Sequence, residues 1–572
     1  MIKNIQSLIG GYSNPYFIIF LFIILAVLDV LGIGMVPLLI KFALEKNAEN
    51  LSQNWVEELI PIVQGYSQIE VLSGLVVLLF FIKSVLFIFS NFLIFNFSYG
   101  VMHQNRAELV SLLVKAKYQT IMNRSAADFI NLLQLHINQS VSNYLIPSLK
   151  LVSDILVSFF ILTYLLVLYP LVTLFLLAIT LSLSCLYLLL TRNRIYEYGK
   201  RSYENNLAMI DLSKSIRTGF VDITINGGVT YFKDLFVEKS QFFSDVQTKS
   251  ATLRVIPRPL FEWVIIIFVV FIAVFNSGQQ SATAQLTIFA TFGIGAVRLL
   301  PAVTSIIGSL SLMKNTEAAL EKYFMEKENL VNMQTCSEVP LQTPANYTRV
   351  ESVPVAVSNL SLKDIYFYHE KGNDLINSLS FTLNKGDTIG IVGLSGSGKS
   401  TLISIILGLL KPTKGQVLLD GVSVDEVAAQ DYFSYVPQLP FISNDTLLNN
   451  IVYPGSEKNI IYIKELMASL GLSDLFNGHV AELSDIVGEN GIHLSGGQAQ
   501  RIALIRAIIQ DTGILIIDEG TSALDHNSAQ SVLEILRRLK NEKIIIVVSH
   551  REEILDICDR VYSLDNKNFN KV

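Results

Sequence analysis

Between Ile155 and Thr191 the chain runs for 37 residues without a charged side chain. About 20 apolar residues cross a bilayer as a helix, so this run is too long for one crossing and long enough for two. Tyr169-Pro170 divides it. A second uncharged run, Trp263 to Val297, is divided at Asn276-Ser277-Gly278-Gln279-Gln280. Both turns are minimal, so each run predicts a helical hairpin. Counting all such segments predicts six crossings, at about 16–44, 71–102, 142–168, 170–191, 259–278 and 284–313. The first, with its apolar core from Tyr16 to Ile40, has the length of a spanning helix rather than of a removable signal.

Composition agrees. Of the 572 residues, 51% are hydrophobic and 16% charged, whereas soluble chains carry about 25% charged residues. A net charge of −6 gives no support to nucleic-acid binding. Cys185, Cys336 and Cys558 lie far apart and suggest neither a disulfide framework nor a metal site. The connections at 103–141 and 192–256 hold four and ten Lys/Arg, while 45–70 holds one lysine against five acids. Cytoplasmic segments attract Lys and Arg, so the long connections are expected inside and the hairpin tips outside. That places the N-terminus and everything after the sixth crossing in the cytoplasm of a multi-pass protein of the inner (plasma) membrane.

Beyond the crossings the pattern changes. Residues 326–349 lack periodicity and read as a linker. Short apolar runs follow, among them Thr388-Ile-Gly-Ile-Val-Gly393, Gly513-Ile-Leu-Ile-Ile-Asp518 and Lys543-Ile-Ile-Ile-Val-Val548. Near-continuous runs of this length fit strands of a parallel sheet covered on both faces. The expected architecture is therefore multi-domain: an all-α polytopic membrane domain over 1–325, a linker, and an α/β P-loop domain over 350–572.

Gly393-Leu-Ser395-Gly396-Ser397-Gly398-Lys399-Ser400 follows one of these runs and opens a helical stretch from Thr401 to Leu410. Strand, glycine-rich turn and helix are the context that a phosphate-binding loop requires. Glycines let backbone N–H groups converge on phosphate oxygens, and the helix N-terminus adds favourable partial charge. Lys399 would reach the β- and γ-phosphates of ATP, and the Ser400 hydroxyl would coordinate Mg²⁺. Asp518 ends an apolar strand, where an acid is expensive unless it serves a metal. Glu519 follows and is placed to orient or deprotonate an attacking water.

With Leu494-Ser495-Gly496-Gly497-Gln498 and His550 added, the chain resembles the ATP-binding cassette (ABC) exporters over nearly its whole length. The resemblance implies that Ser495, Gly496, Gly497 and Gln498 face the γ-phosphate held by another subunit. It implies that Gln438, in Tyr435-Val-Pro-Gln438, links Mg²⁺ to the membrane domain, that Asp525 lies at the dimer interface, and that His550 senses the γ-phosphate. Val487-Gly-Glu489-Asn-Gly resembles the exporter-specific loop. Two departures stand out. The adenine-stacking aromatic of the family falls at His369, with Tyr368 one residue early, and side-chain alternation turns Tyr368 away unless a bulge intervenes. Ala499 and Gly520 replace a common lysine and a common alanine. With both halves of the composite site intact, the resemblance implies a dimer, expected to be a homodimer with two hydrolytic sites; a heterodimer stays open as the alternative.

The cargo question turns on charges inside the crossings, which are functional candidates by default. They are Asp29, Lys83, Arg258 and Arg298. Lys83 can instead snorkel, Arg258 can sit at the cytoplasmic interface, and Asp29 can pair structurally. Three cations and one acid facing a shared cavity suit an anionic head group. Asp29-Val-Leu-Gly-Ile-Gly-Met-Val-Pro37, Ile256-Pro-Arg258 and Val297-Arg298-Leu-Leu-Pro301 are similar to segments of bacterial lipid-linked oligosaccharide flippases. In those, basic residues at these places meet a pyrophosphate. Residues 51–63, apolar at helical spacing, resemble the external helix of that group. The expected function is ATP-driven export or flipping of a lipid-linked anionic substrate. Drug, peptide or lipid A-like cargo stands as the alternative, and a cassette that only regulates a partner is disfavoured by the complete catalytic set.

Overall fold

Helices longer than a membrane is thick fill the first half of the chain. The computed structural model describes residues 2–12, 15–44, 68–116, 118–122, 126–275, 282–335, 357–368, 374–426, 429–452, 460–475, 486–487, 494–520, 526–565 and 568–571. By internal contacts the chain forms two units. One comprises Met1–Ala116 and Asn123–Met333, the other Lys117–Met122 and Gln334–Val572.

In the first unit, α1 (Ile2–Ile9) precedes α2 (Tyr16–Leu44) and α3 (Gln68–Val114). A helix from Ala126 passes through two π-helical turns, Asn131–His136 and Val141–Leu145, into α5 (Ile146–Leu168), leaving the label α4 for Tyr118–Met122 of the other unit. Then come α6 (Pro170–Thr218), α7 (Phe220–Ile225), α8 (Val229–Val255), α9 (Pro257–Phe275) and α10 (Ala282–Thr335). Pro170 opens α6 at its first turn, where a missing N–H is harmless. Among the described residues, five helices are long and apolar enough to cross a membrane. Their apolar faces turn outward, with Leu171 82% and Val77 70% exposed. So large an apolar surface is a lipid-facing one. Between the helices, Ile33, Ile161, Leu165, Phe268 and Phe292 form a buried cluster. Asn105 of α3 donates to the Leu8 carbonyl of α1 and accepts from Tyr323 of α10, tying three helices together.

Two expectations are corrected here. The charged connections 103–141 and 192–256 are largely helix rather than loop, because α3 and α6 run on for 47 and 49 residues and α8 follows, just as α10 runs for 54 beyond its expected crossing. At 1.5 Å per residue that is about 70–80 Å, more than twice a bilayer core. Likewise α10 continues to Thr335, so the first ten residues of the expected linker are helical. Residues 51–63 and the hairpin turn 276–280 lie outside the described residues.

The second unit is α/β. A four-stranded antiparallel sheet has the order β2-β1-β4-β5, with β1 Asn359–Tyr368, β2 Asp374–Asn384, β4 Lys414–Leu419 and β5 Val422–Ser423. A six-stranded sheet has the order β10-β9-β3-β8-β7-β6. Its parallel centre is β3 Thr388–Val392, β8 Ile544–Val548 and β7 Ile514–Asp518, flanked by β6 Phe433–Val436 and β9 Arg560–Asp565, with β10 (Asn568–Lys571) antiparallel at the edge. Every residue of β7 and β8 is buried, as the apolar runs require. Helix α11 (Lys399–Ile406) packs between the sheets through Leu402, Ile403 and Ile406, and α12 (Gly496–Ile509) covers the other core. Although α4 is encoded among the membrane helices, its Tyr118 packs against the core around Ile403 and Phe433.

Candidate nucleotide-binding site

The site forms where β3 ends. Gly393, Gly396 and Gly398 have φ of +151°, +80° and +103°, values that only glycine adopts freely. At Gly393 a side chain is also excluded by space, since a Cβ would lie 2.6 Å from the Leu564 carbonyl oxygen and 3.0 Å from Ser397 Oγ. The loop closes over Lys399, whose ammonium donates to the carbonyls of Gly393 (2.6 Å) and Leu394 (3.0 Å). Ser395 and Ser400 are exposed, Thr401 half-buried. Among the described residues, buried Ser397 Oγ has no hydrogen-bond partner. A buried hydroxyl of that kind, beside a fixed cation at a helix N-terminus, suits a phosphate oxygen.

Asp518 ends β7 buried, and Tyr435 of β6 donates a long hydrogen bond (3.4 Å) to its Oδ2. Burial pushes the Asp518 carboxyl above the ordinary range; the adjacent Glu519 charge adds to that, while Tyr435 and Lys399 oppose it. Such a group gains from a cation. Ser400, Asp518 and Gln438 offer hydroxyl, carboxylate and amide oxygens, the hard donor set that Mg²⁺ takes alongside substrate phosphates. The residues fit that ion, which when bound would neutralise phosphate charge.

Glu519 has a φ of +48°, an uncommon conformation for a side chain with no short local hydrogen bond to favour it. Its N–H donates to the Val548 carbonyl (2.9 Å), which anchors the turn. The carboxylate then lies between Gln438, whose Nε2 donates to it at 2.7 Å, and His550, whose Nε2 is 3.9 Å away. A strand end, a β6 extension and the segment after β8 thus bring Glu519, expected to act on the attacking water, together with Gln438, expected at Mg²⁺, and His550, expected at the γ-phosphate. Ser495 caps α12: its hydroxyl accepts from the Gln498 N–H, and the Gln498 side chain accepts from the Ser495 N–H. This capping box fixes Gly496 and Gly497 as the first turn of a helix, with their N–H groups at its positive end. His369, Asp525 and Gly488–Gly491 of the expected exporter loop lie outside the described residues.

The family model for the ABC transporter domain matches residues 376–522. A solved structure titled as a bacterial Atm1-family ABC exporter with ATP bound superposes at a TM-score of 0.76, covering 98% of this chain and 96% of its own at 18% identity. Residues 376–522 thus form an ABC transporter domain, and the chain as a whole has the fold of that exporter. Among curated relatives, an ATP-dependent lipid A-core flippase of Vibrio vulnificus (strain YJ016) is 30% identical over 349 residues, 58% of this chain and 56% of that one. The protein of that name from Aromatoleum aromaticum is 27% identical over 489 residues, covering 83% and 78%. The chain thus spans just over half the length of the first of these relatives.

In the helical first unit of this chain, three of the four expected charges meet. Asp29 of α2 pairs with Lys83 of α3, and Arg298 Nε of α10 lies 3.4 Å from the same Asp29 oxygen. Arg258 stands apart: it pairs with Glu262 one turn on, with its side chain 72% exposed. Sequence reasoning missed Tyr435, although the residue stood in the quoted Tyr-Val-Pro-Gln segment. Only strand pairing shows it beside Asp518. It also missed Phe80, which lies under both Lys83 and Arg298.

Proposed function

We propose that two copies of this chain form an ATP-driven transporter that moves an amphipathic lipid with an anionic head group across the inner membrane. The observation that carries this reading is Arg298. It lies within an apolar helix among the membrane spans, yet 36% of its side chain is exposed. Intramembrane cations of this kind serve substrates or relays. A cavity of about 780 Å³ between α5, α6 and α10 supports a lipid. Leu162, Leu181 and Val303 line its apolar part, while Arg192, Lys314 and Glu317 line its charged part. Phosphorylated lipid A-like cargo stands first, because proteins named lipid A-core flippases align with 58% and 83% of the chain. An oligosaccharide-pyrophosphate lipid stands second, on the residues around Asp29 and Arg298.

In this scheme MgATP bound by the Lys399 loop of one copy and the Ser495 helix of the other draws the two nucleotide-binding halves together. The membrane helices then switch outward, and hydrolysis, with Glu519 acting on the water, resets them. The nucleotide-binding half lies in the cytoplasm. Reconstituted in lipid vesicles, the protein is expected to hydrolyse ATP faster when lipid A is present. Glu519→Gln should lower that rate by about a hundredfold or more, and Arg298→Ala should lose the response to lipid A. A full response from Arg298→Ala would overturn the anionic cargo.

A further inference from the structure

The carboxylate of Asp29 holds two cations on one oxygen. Lys83 and Asp29 are nearly enclosed, with side chains 10% and 9% exposed, whereas Arg298 reaches Asp29 only through Nε and leaves 36% of its side chain open. The ring of Phe80 lies under both cations, 5.9 Å from Lys83 Nζ and 5.6 Å from Arg298 Cζ. Gly32, one helical turn after Asp29, makes room for that ring, since a Cβ there would lie 3.2 Å from it. The packing therefore fixes Asp29, Lys83 and Phe80 as one block and leaves the outer face of Arg298 available. An arginine carries five donors in a rigid fork, and Nε is the one nearest Asp29.

We propose that Asp29 is the charge-selecting residue of this site: its carboxylate holds Arg298 as an internal stand-in for the cargo's anionic group, and cargo must displace it. This rests on the anionic-cargo reading and adds a rule to it. Lys83 and Arg298 against Asp29 leave one net positive charge per chain, and hence two in a pair of copies. A head group with a single negative charge competes with Asp29 on equal terms. One with two phosphoryl groups outcompetes it. Discrimination between the two then comes from Asp29 and not from the cations. Because Asp29 and the head group compete for Arg298, removing one tightens the other by the same factor.

The test uses the full-length protein in phosphatidylcholine nanodiscs, with bisphosphoryl and monophosphoryl lipid A as probes and ATPase stimulation as readout. In the wild type the bisphosphoryl lipid should act at the lower concentration. Asp29→Asn should lower the half-stimulating concentration of the monophosphoryl lipid about tenfold and narrow the gap between the two lipids. A purely structural Asp29 would do the opposite and weaken both. Asp29→Asn leaves Lys83 buried without its partner, so the double variant Lys83→Met with Asp29→Asn removes the pair as a unit and should show the same narrowed gap. An unchanged gap in the folded single or double variant, with Arg298→Ala unresponsive, overturns the role of Asp29 alone. A wild-type response from Arg298→Ala overturns the anionic cargo and this proposal together. Inorganic phosphate at the same concentrations should be inert; stimulation by it would overturn the lipid head group as the ligand.

Discussion

Asp518 and Glu519 are neighbours in sequence but have different surroundings, and their expected behaviour differs accordingly. Asp518 is buried, and its folded carboxyl sits above the ordinary range. The folded protein therefore holds this proton more tightly than the unfolded chain. Stability from this group is present below the unfolded value of about 3.9 and is lost as pH rises toward the folded one. Without Mg²⁺, melting temperature should fall as pH rises through that window. Asp518→Asn should lack that component and melt higher than the wild type near neutral pH, while losing MgATP hydrolysis. A lower melting temperature for Asp518→Asn without Mg²⁺ would sink this account. The loop and the two acids were legible because their chemistry demands fixed residue types at fixed spacing. Gly520 shows what was not legible. An alanine there would place Cβ 2.8 Å from Val436 Cγ1, a clash set by β6, which lies more than eighty residues away in the chain. Gly520→Ala is therefore expected to destabilise by about 1–3 kcal/mol in denaturant titration.

At the scale of elements, hydropathy reads solvent and not secondary structure, which is why α3, α6 and α10 were cut short at the membrane boundary. The π-helical turns at Asn131–His136 and Val141–Leu145 have no sequence signature at all; at the end of the first, His136 Nε2 lies 2.9 Å from the Tyr203 hydroxyl, a contact between helices far apart in the chain. The adenine residue was left open between His369 and Tyr368, with a bulge as the condition for Tyr368. The register of β1 on β2 does shift between Phe367 and Tyr368, while Phe367 stays buried in the core. Tyr368 is therefore released from strict alternation. If it stacks on adenine, Tyr368→Ala should raise the KM for ATP about tenfold, measured by steady-state hydrolysis, and an unchanged KM would leave the role to His369. The short helix α4 makes a separate case. Tyr118 packs near Tyr435, whose hydroxyl is pushed up by burial and then by Asp518, with a smaller contribution from Tyr118. A segment encoded between membrane helices thus lies one side chain from the acid that ends β7. Tyr118→Ala is expected to cut lipid stimulation of ATPase at least about fivefold, and full stimulation would exclude coupling by this route.

For the whole molecule, the decisive arrangement is the one a single chain does not display. Lys399 closes the phosphate loop, and the Ser495–Gln498 capping box fixes the first turn of a separate helix. If each site takes its loop from one copy and its signature from the other, two inactive variants should rescue each other. In a symmetric pair, Lys399→Ala and Ser495→Arg each disable both sites. Mixed in one assembly, both defects fall on the same site and the other site is intact. Random pairing makes about half the assemblies mixed, each with one of two sites working, so co-expression should restore about a quarter of wild-type ATPase. A site completed within one chain restores nothing, because every chain in the mixture carries a defect. Tagging the two variants differently and purifying through both tags isolates the mixed assemblies and raises the expected value to about one half. Recovery near that level would establish the shared site, and an inactive doubly tagged assembly of correct size would rule out two independent sites of this kind.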